Sequence, residues 1–132
     1  MANRVHELVR WHVELYLDSA DLPDLAPRLV GLPRVVIDHL GLKPTGFDTL
    51  VRLVERGVYV KASGFGRVTL EVGSSLRALC DANPQAVVFG TDLPSTRAKR
   101  PFRGSDVDVS SNGWERRSDG WCSSRTDSAY MA

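Results

Sequence analysis

Several features that would assign this chain to a class of protein are scarce or missing. Two cysteines, Cys80 and Cys122, are too few for a disulfide framework or a cysteine-based metal cluster. No apolar run approaches the roughly 18 residues of a membrane span, and the first ten residues lack the apolar stretch of a signal peptide. Seventeen basic and sixteen acidic residues leave a net charge of +1, which provides no strong field for nucleic acid. These absences predict a cytoplasmic protein that binds neither nucleic acid nor membrane.

The composition changes along the chain. With 132 residues, of which 42% are hydrophobic and 25% charged, the chain can form one domain with a core but not two ordinary ones. Residues 104–132 contain seven serines and no Leu, Ile or Phe, and they show neither a helical nor a strand period. Such a segment cannot bury enough apolar surface to offset its chain entropy. We therefore predict a folded domain over residues 1–103 and a disordered tail over residues 104–132.

Short apolar runs alternate with amphipathic segments in the first 103 residues. Strands are predicted near residues 13, 35, 58 and 87, and the run Val35–Ile37 is the clearest of them. Apolar residues recur at helical spacing between these strands, and Ser74 or Ser75 is expected to cap the third intervening helix. This alternation is typical of βαβ units. The fold class is therefore predicted to be α/β, with a parallel sheet of about four βα units.

Polar residues follow each predicted strand, where α/β proteins place their ligand sites. His39 comes directly after the second strand, and it could ligate a metal, shuttle a proton or be a hydrogen-bonded structural histidine. Asp92 follows the fourth strand, and it could be a metal ligand, a general base or a helix N-cap. Asp38 precedes His39 and is expected to be a supporting or structural acid. Lys61 lies within an apolar strand, so it needs either a carboxylate partner or a path to solvent.

Three segments resemble the later strands of the amidohydrolase-related family. They are Leu32–Gly41, Gly57–Gly64 and Val88–Pro94, and Trp11–Leu15 fits the strand before them. This family consists of TIM-barrel hydrolases of the amidohydrolase superfamily, and the chain is most similar to the branch that contains 2-pyrone-4,6-dicarboxylate lactonase. The resemblance covers about residues 8–102. It implies that residues 1–103 form a partial, roughly half, TIM-barrel-like domain from the C-terminal half of the family's barrel.

The resemblance also implies roles for individual residues. Asp92 matches the family's acid/base that activates water, and His39 matches a histidine on a middle strand. Together they would be the catalytic pair of a hydrolase that attacks a lactone, ester or amide carbonyl of a small molecule with water. They would ligate a divalent metal such as zinc, or, as in metal-free members, His39 would polarise the carbonyl without a metal. Arg67 matches a position that binds a substrate carboxylate in some lactonase-like members.

The chain also departs from the family pattern. The family begins with a His-x-His pair, whereas the three histidines here are His6, His12 and His39. A TIM barrel needs about 250 residues and eight strands. We therefore expect a fragment that has no appreciable hydrolase activity alone and that closes its sheet, if at all, as a homo-oligomer. The alternative function is a non-catalytic α/β scaffold or oligomerisation module. In either case His39 and Asp92 are expected to lie at the same edge of one parallel sheet and to face the same side.

Overall fold

A computed structural model describes residues 1–113, which form one parallel sheet flanked by helices. The strands are β1 (Val13–Leu15), β2 (Val35–Ile37), β3 (Tyr59–Ala62) and β4 (Val87–Phe89), and they lie in the sheet in chain order. Every adjacent pair is parallel. The predicted α/β class and the four-stranded parallel sheet are confirmed, while closure into part of a TIM barrel stays a prediction.

Three helices connect the strands, as the apolar spacing predicts. They are α2 (Leu22–Leu29), α3 (Phe47–Glu55) and α4 (Val72–Ala82). The structure adds α1 (Ala2–Val9), which contributes no buried residue, and α5 (Ser105–Gly113) near the end of the described chain. No helix in residues 1–113 is long and apolar enough to cross a membrane.

The core lies between one face of the sheet and the helices. Alternate strand residues such as Val35, Ile37 and Val60 are almost completely buried in it. Helix residues that fill the other side of the core, each 0% exposed, include Leu22, Leu50, Leu76 and Leu79. Successive strand side chains point to opposite faces, so Glu14 and Lys61 lie on the face of the sheet away from this core. The helices thus leave a second face on which charged groups can meet.

Helix α4 begins at a different cap from the one predicted. Glu71, rather than Ser74 or Ser75, is the N-cap, and its carboxylate accepts hydrogen bonds from the backbone N–H of Gly73 at 3.0 Å and of Ser74 at 2.6 Å. Hydrogen bonds from Ser74 and Gly73 lower the pKa of Glu71 to about 2. A cap at Ser74 or Ser75 would have accepted from N–H groups further along the chain, so the helix begins about one turn earlier than predicted.

The segment after Gly104 differs from the predicted disordered tail. Residues Ser105–Gly113 form α5, which packs against α4. Asp106 is 3% exposed, and its carboxylate accepts two hydrogen bonds from Arg100, at 2.8 and 2.7 Å, and one from the Arg103 N–H at 3.0 Å. The Arg100 contact lowers the pKa of Asp106. Hydrogen bonds to a buried carboxylate therefore hold this helix, although its sequence lacks the regular apolar spacing from which helices were predicted. Residues 114–132 lie outside the described part of the chain.

We expect Asp106→Asn to lower the free energy of unfolding by about 2 kcal/mol, because it weakens several charge-assisted hydrogen bonds at a buried carboxylate. Asp108→Asn is the matched control, since Asp108 is exposed on the same helix, and we expect little change from it. Urea unfolding followed by circular dichroism measures both variants. Equal stabilities for the two variants would show that the Arg100–Asp106 pair does not anchor α5.

Candidate functional site

The carboxyl edge of the sheet brings His39 and Asp92 together. His39 follows β2 and Asp92 follows β4, and the histidine Nε2 lies 3.8 Å from Asp92 Oδ1. Their side chains are only 10% and 17% exposed. The prediction that both residues share one edge and face one side is confirmed. The parallel pairing of β2, β3 and β4 explains it, because parallel strands end at the same edge.

The ring of His39 is held from several directions. Its Nδ1 lies 3.0 Å from Ser63 Oγ in a buried hydrogen bond, and the ring of Tyr16 packs edge-on with the ring centroids 5.5 Å apart. Gly64 approaches so closely that a Cβ there would lie 2.5 Å from His39 Nδ1. Burial lowers the pKa of His39, although Asp92 and Asp38 oppose this shift. The imidazole is therefore neutral at pH 7 and can both donate and accept a proton.

Asp92 is held by Arg67. The guanidinium Nε donates to Asp92 Oδ2 at 2.6 Å, and Nη2 donates to the carbonyl of Thr96 at 2.7 Å. The hydrogen bond to Asp92 raises the pKa of Arg67. Contact of Arg67 with a substrate carboxylate stays a prediction. Within residues 1–113 Asp92 caps no helix, since the next helix begins at Ser105.

A second charged cluster lies beside this pair. Lys61 Nζ is 2.5 Å from Glu14 Oε1 and 3.3 Å from Asp38 Oδ1, so of the two alternatives that the sequence left open for Lys61, the structure shows the carboxylate partner. Burial tends to lower the pKa of Lys61, but its hydrogen bond to Glu14 and the charges of both carboxylates raise it overall. Burial raises the pKa of Asp38, and Lys61 opposes this. No group in the described chain makes a well-formed hydrogen bond to the buried Asp38 Oδ1, so Asp38 depends on Lys61 for compensation of its charge.

We expect Lys61→Met to destabilise the protein by about 2 kcal/mol at pH 7, because Asp38 would lose its counter-charge in a partly buried position. The pKa of Glu14 is lowered, since the contacts with Lys61 outweigh its burial. The stability from that ion pair is therefore present above the ordinary glutamate value of 4.5 and is lost as the pH falls below it. The raised pKa of Asp38 means that its ionisation costs stability as the pH rises above 3.8. Both effects make the cost of Lys61→Met shrink towards pH 3.

Unfolding curves from pH 3 to pH 8 would measure this dependence. Lys43→Met is the matched control, because Lys43 forms a similar ion pair with Asp18 but is 56% exposed at its side chain, and exposed pairs contribute little. A pH-independent cost for Lys61→Met would mean that the contacts of Lys61 with Glu14 and Asp38 do not account for the loss of stability.

Both clusters line one cavity of about 260 Å³. That volume is slightly below the usual range for drug-sized ligands and suits a small molecule. A larger cavity of about 490 Å³ lies between α2 and α3, but its only charged lining residues are Arg52 and Arg56. The smaller cavity is the better candidate for a catalytic site, because it is lined by carboxylates, a histidine, a lysine and a serine. Its lining residues are Glu14, Asp38, His39, Lys61, Ser63, Val88, Phe89, Gly90 and Asp92.

The backbone is strained where the two central residues lie. His39 has a φ of 51°, Leu40 of 54° and Asp92 of 59°, all in the left-handed region that non-glycine residues rarely occupy. This backbone conformation is unfavourable for a residue with a side chain, so it persists only where contacts with the surrounding structure stabilise it. Residues in this conformation are concentrated at functional sites. The strain therefore supports this edge of the sheet as the functional one.

The described residues provide only part of a metal site, and a divalent metal there stays a prediction. His39 Nδ1 is hydrogen-bonded to Ser63 and Asp92 Oδ2 to Arg67, so His39 Nε2 and Asp92 Oδ1 are the atoms that would ligate a metal ion. The described chain contains no group of three or more His, Cys, Asp or Glu that could hold a metal, whereas catalytic zinc sites use three protein ligands. The proposals below therefore follow the metal-free alternative of the family resemblance.

Ser63 and Gly64 are among the residues that follow the third predicted strand, but the sequence predicted no specific role for Ser63, Gly64 or Glu14. Ser63 lies two residues after Lys61, so the alternation of a strand would have placed both on one face. The ion pair of Glu14 with Lys61 joins β1 to β3 across the intervening β2, and no sequence spacing predicts it. The contact of Gly64 with His39 depends on a left-handed turn at residue 64, where φ is 61°.

No protein-family model matches the sequence, and no curated protein matches it. Resemblance to the amidohydrolase-related family therefore rests on the sequence motifs alone. The cavity that contains His39 and Asp92 is the structural feature that bears on function.

Proposed function

We propose that this cavity is a hydrolytic site of the amidohydrolase-related type, which acts on the carbonyl of a small lactone, ester or amide. The observation that carries the proposal is the approach of His39 Nε2 to Asp92 Oδ1, 3.8 Å apart, with both side chains largely buried and lining one cavity. This separation is too long for a direct hydrogen bond, so both atoms can face one bound polar group.

Asp92 is the general base in this proposal. Its Oδ1 accepts a proton from water as the water oxygen attacks the carbonyl carbon. Arg67 holds the other carboxylate oxygen and thereby fixes its direction. The neutral His39 polarises the carbonyl by donating from Nε2. Lys61 lies in the same cavity, and its positive charge favours the negative charge that develops on the carbonyl oxygen.

Turnover by this chain is expected to be very slow. The family's remaining catalytic groups include a His-x-His pair, and this sequence has only His6, His12 and His39. Loss of one polarising group typically costs a factor of about 100 to 1,000 in rate. We therefore expect no appreciable multiple turnover, and a measurable reaction only with the protein in excess over substrate.

Single-turnover hydrolysis of a six-membered lactone such as dihydrocoumarin tests this function. We expect conversion above the buffer rate, and we expect Asp92→Asn to reduce it by about 100-fold. Asp48→Asn, an exposed acid at the start of α3, is the matched control and should retain the wild-type rate. Equal rates for wild type and Asp92→Asn, or no conversion above buffer, would contradict the proposal and favour the non-catalytic scaffold.

A further inference from the structure

Ser63, His39 and Asp92 form a connected row of side chains. Ser63 Oγ lies 3.0 Å from His39 Nδ1, and the opposite ring nitrogen, Nε2, lies 3.8 Å from Asp92 Oδ1. All three side chains line the same cavity. Ser63 is only 4% exposed, so its hydroxyl is shielded from bulk water. A serine, an imidazole and a carboxylate in this order are the parts of an activated nucleophile.

The charges around the ring decide which nitrogen of His39 carries the proton. A bare Nε2 would point its lone pair at the Asp92 carboxylate, whereas an Nε2–H is attracted by it. The second arrangement leaves Nδ1 without a proton, so Nδ1 accepts the hydrogen bond from the Ser63 hydroxyl. A carboxylate that orients a histidine so that its far nitrogen is basic is the general requirement for activating a serine. The ring nitrogens have exchanged roles here, and Asp92 lies 3.8 Å from Nε2, beyond direct hydrogen-bond distance, so it favours the Nε2–H form through its charge rather than through a hydrogen bond.

We propose that Ser63 is a nucleophile that accepts an acyl group from small activated esters. Ser63 Oγ attacks the ester carbonyl carbon, and its proton passes to His39 Nδ1. The bond from the carbonyl carbon to the alcohol oxygen then breaks, and His39 returns the proton to that oxygen, so that a neutral alcohol leaves and an acyl-serine remains. The step needs no co-reactant. It rests on the same His39–Asp92 pair as the proposed hydrolysis but gives the attack to Ser63 rather than to water.

Lys61 lies two residues before Ser63 and lines the same cavity. Its ammonium group contacts Glu14 and Asp38, so it offsets part of the negative charge that these carboxylates would otherwise bring to a carbonyl oxygen there. We expect the acyl-serine to form faster than water removes it, so that it accumulates and can be detected.

The experiment is acetylation of the full chain by p-nitrophenyl acetate, followed by intact mass and peptide mapping. We expect one acetyl group per chain on Ser63. Labelling should disappear in Ser63→Ala, fall by about 100-fold in His39→Gln and persist in Ser63→Cys. Ser75→Ala is the matched control, since Ser75 is also a buried serine but donates its hydroxyl to the carbonyl of Glu71, and it should be labelled like wild type.

Two results would overturn this proposal. One is acetylation of Lys61 or of the N-terminus with none on Ser63 in a folded protein. The other is labelling of Ser63 at the same rate in wild type, His39→Gln and Asp92→Asn, which would show that no base activates it. Absence of acetylation on Ser63, together with lactone hydrolysis that is lost in Asp92→Asn, would refute the Ser63 nucleophile while leaving the proposed hydrolytic function intact. Acetylation of Ser63 without any lactone hydrolysis would support the nucleophile and refute the function.

Discussion

Gly46→Ala is expected to lower the free energy of unfolding by about 4 kcal/mol, as judged from the cost of overpacking combined with that of a left-handed backbone. Gly46 has a φ of 79° and directly precedes α3. A Cβ there would lie 1.9 Å from the carbonyl oxygen of Ser19 and 2.6 Å from its carbonyl carbon. Both are backbone atoms, so they cannot rotate away as the end of a flexible side chain would.

The surroundings of Ser19 prevent relief of this clash. Ser19 is 0% exposed, and its Oγ lies 2.6 Å from the carbonyl oxygen of Lys43 and 2.8 Å from that of Thr45. The turn after β1 and the loop before α3 are therefore held together on both sides of Gly46. Movement of either segment would break these hydrogen bonds as well.

Gly57→Ala is the matched control for this substitution. Gly57 also has a positive φ, 93°, but nothing lies within 4 Å of the position that a Cβ would take. It should cost only about 1 kcal/mol for the backbone conformation. Urea unfolding measures both variants, and the difference between them isolates the clash. Similar losses would show that the Ser19 turn yields easily, contrary to the packing described above.

The fold was predictable where the core imposes a pattern. The run Val35–Ile37 is buried at all three positions, so its continuous apolar character marks a strand of a parallel sheet. The helices α2, α3 and α4 each bury an apolar stripe, and their spacing is visible in the sequence. Helix α5 was not predicted because it is held by an ion pair between Asp106 in its first turn and Arg100 in the preceding loop, rather than by an apolar stripe.

The site was predictable to the extent that strand topology determines it. Because the strands are parallel, polar residues that follow β2 and β4 meet at one edge, and this was sufficient to bring His39 and Asp92 together. The direction of each side chain was not predictable. Both residues have left-handed backbones, a conformation that Asp and His adopt more often than most residues but still only in a minority of cases, so the sequence alone does not reveal it. For the same reason the contact between Ser63 and His39 became visible only in the structure.

Gly64→Ala is expected to disable the site. Gly64 has a φ of 61°, and a Cβ there would lie 2.5 Å from His39 Nδ1 and 2.8 Å from its Cγ. The ring has little room to recede, since His39 is only 8% exposed and packs against Tyr16. The ring must rotate, which separates Nδ1 from Ser63. We expect acetylation of Ser63 to fall by about 100-fold, the loss of one proton-transfer group, and stability to fall by about 3 kcal/mol.

A double-mutant cycle with His39→Ala tests the cause of that loss. If the added methyl group clashes with the imidazole, removal of the ring should make room for it. Gly64→Ala should then cost only about 1 kcal/mol in the His39→Ala background, which is the cost of the left-handed backbone alone. Urea unfolding of the four proteins measures the coupling. Additive costs would show that the ring is not the obstacle, and that the close approach of Gly64 does not position His39 towards Ser63 and Asp92.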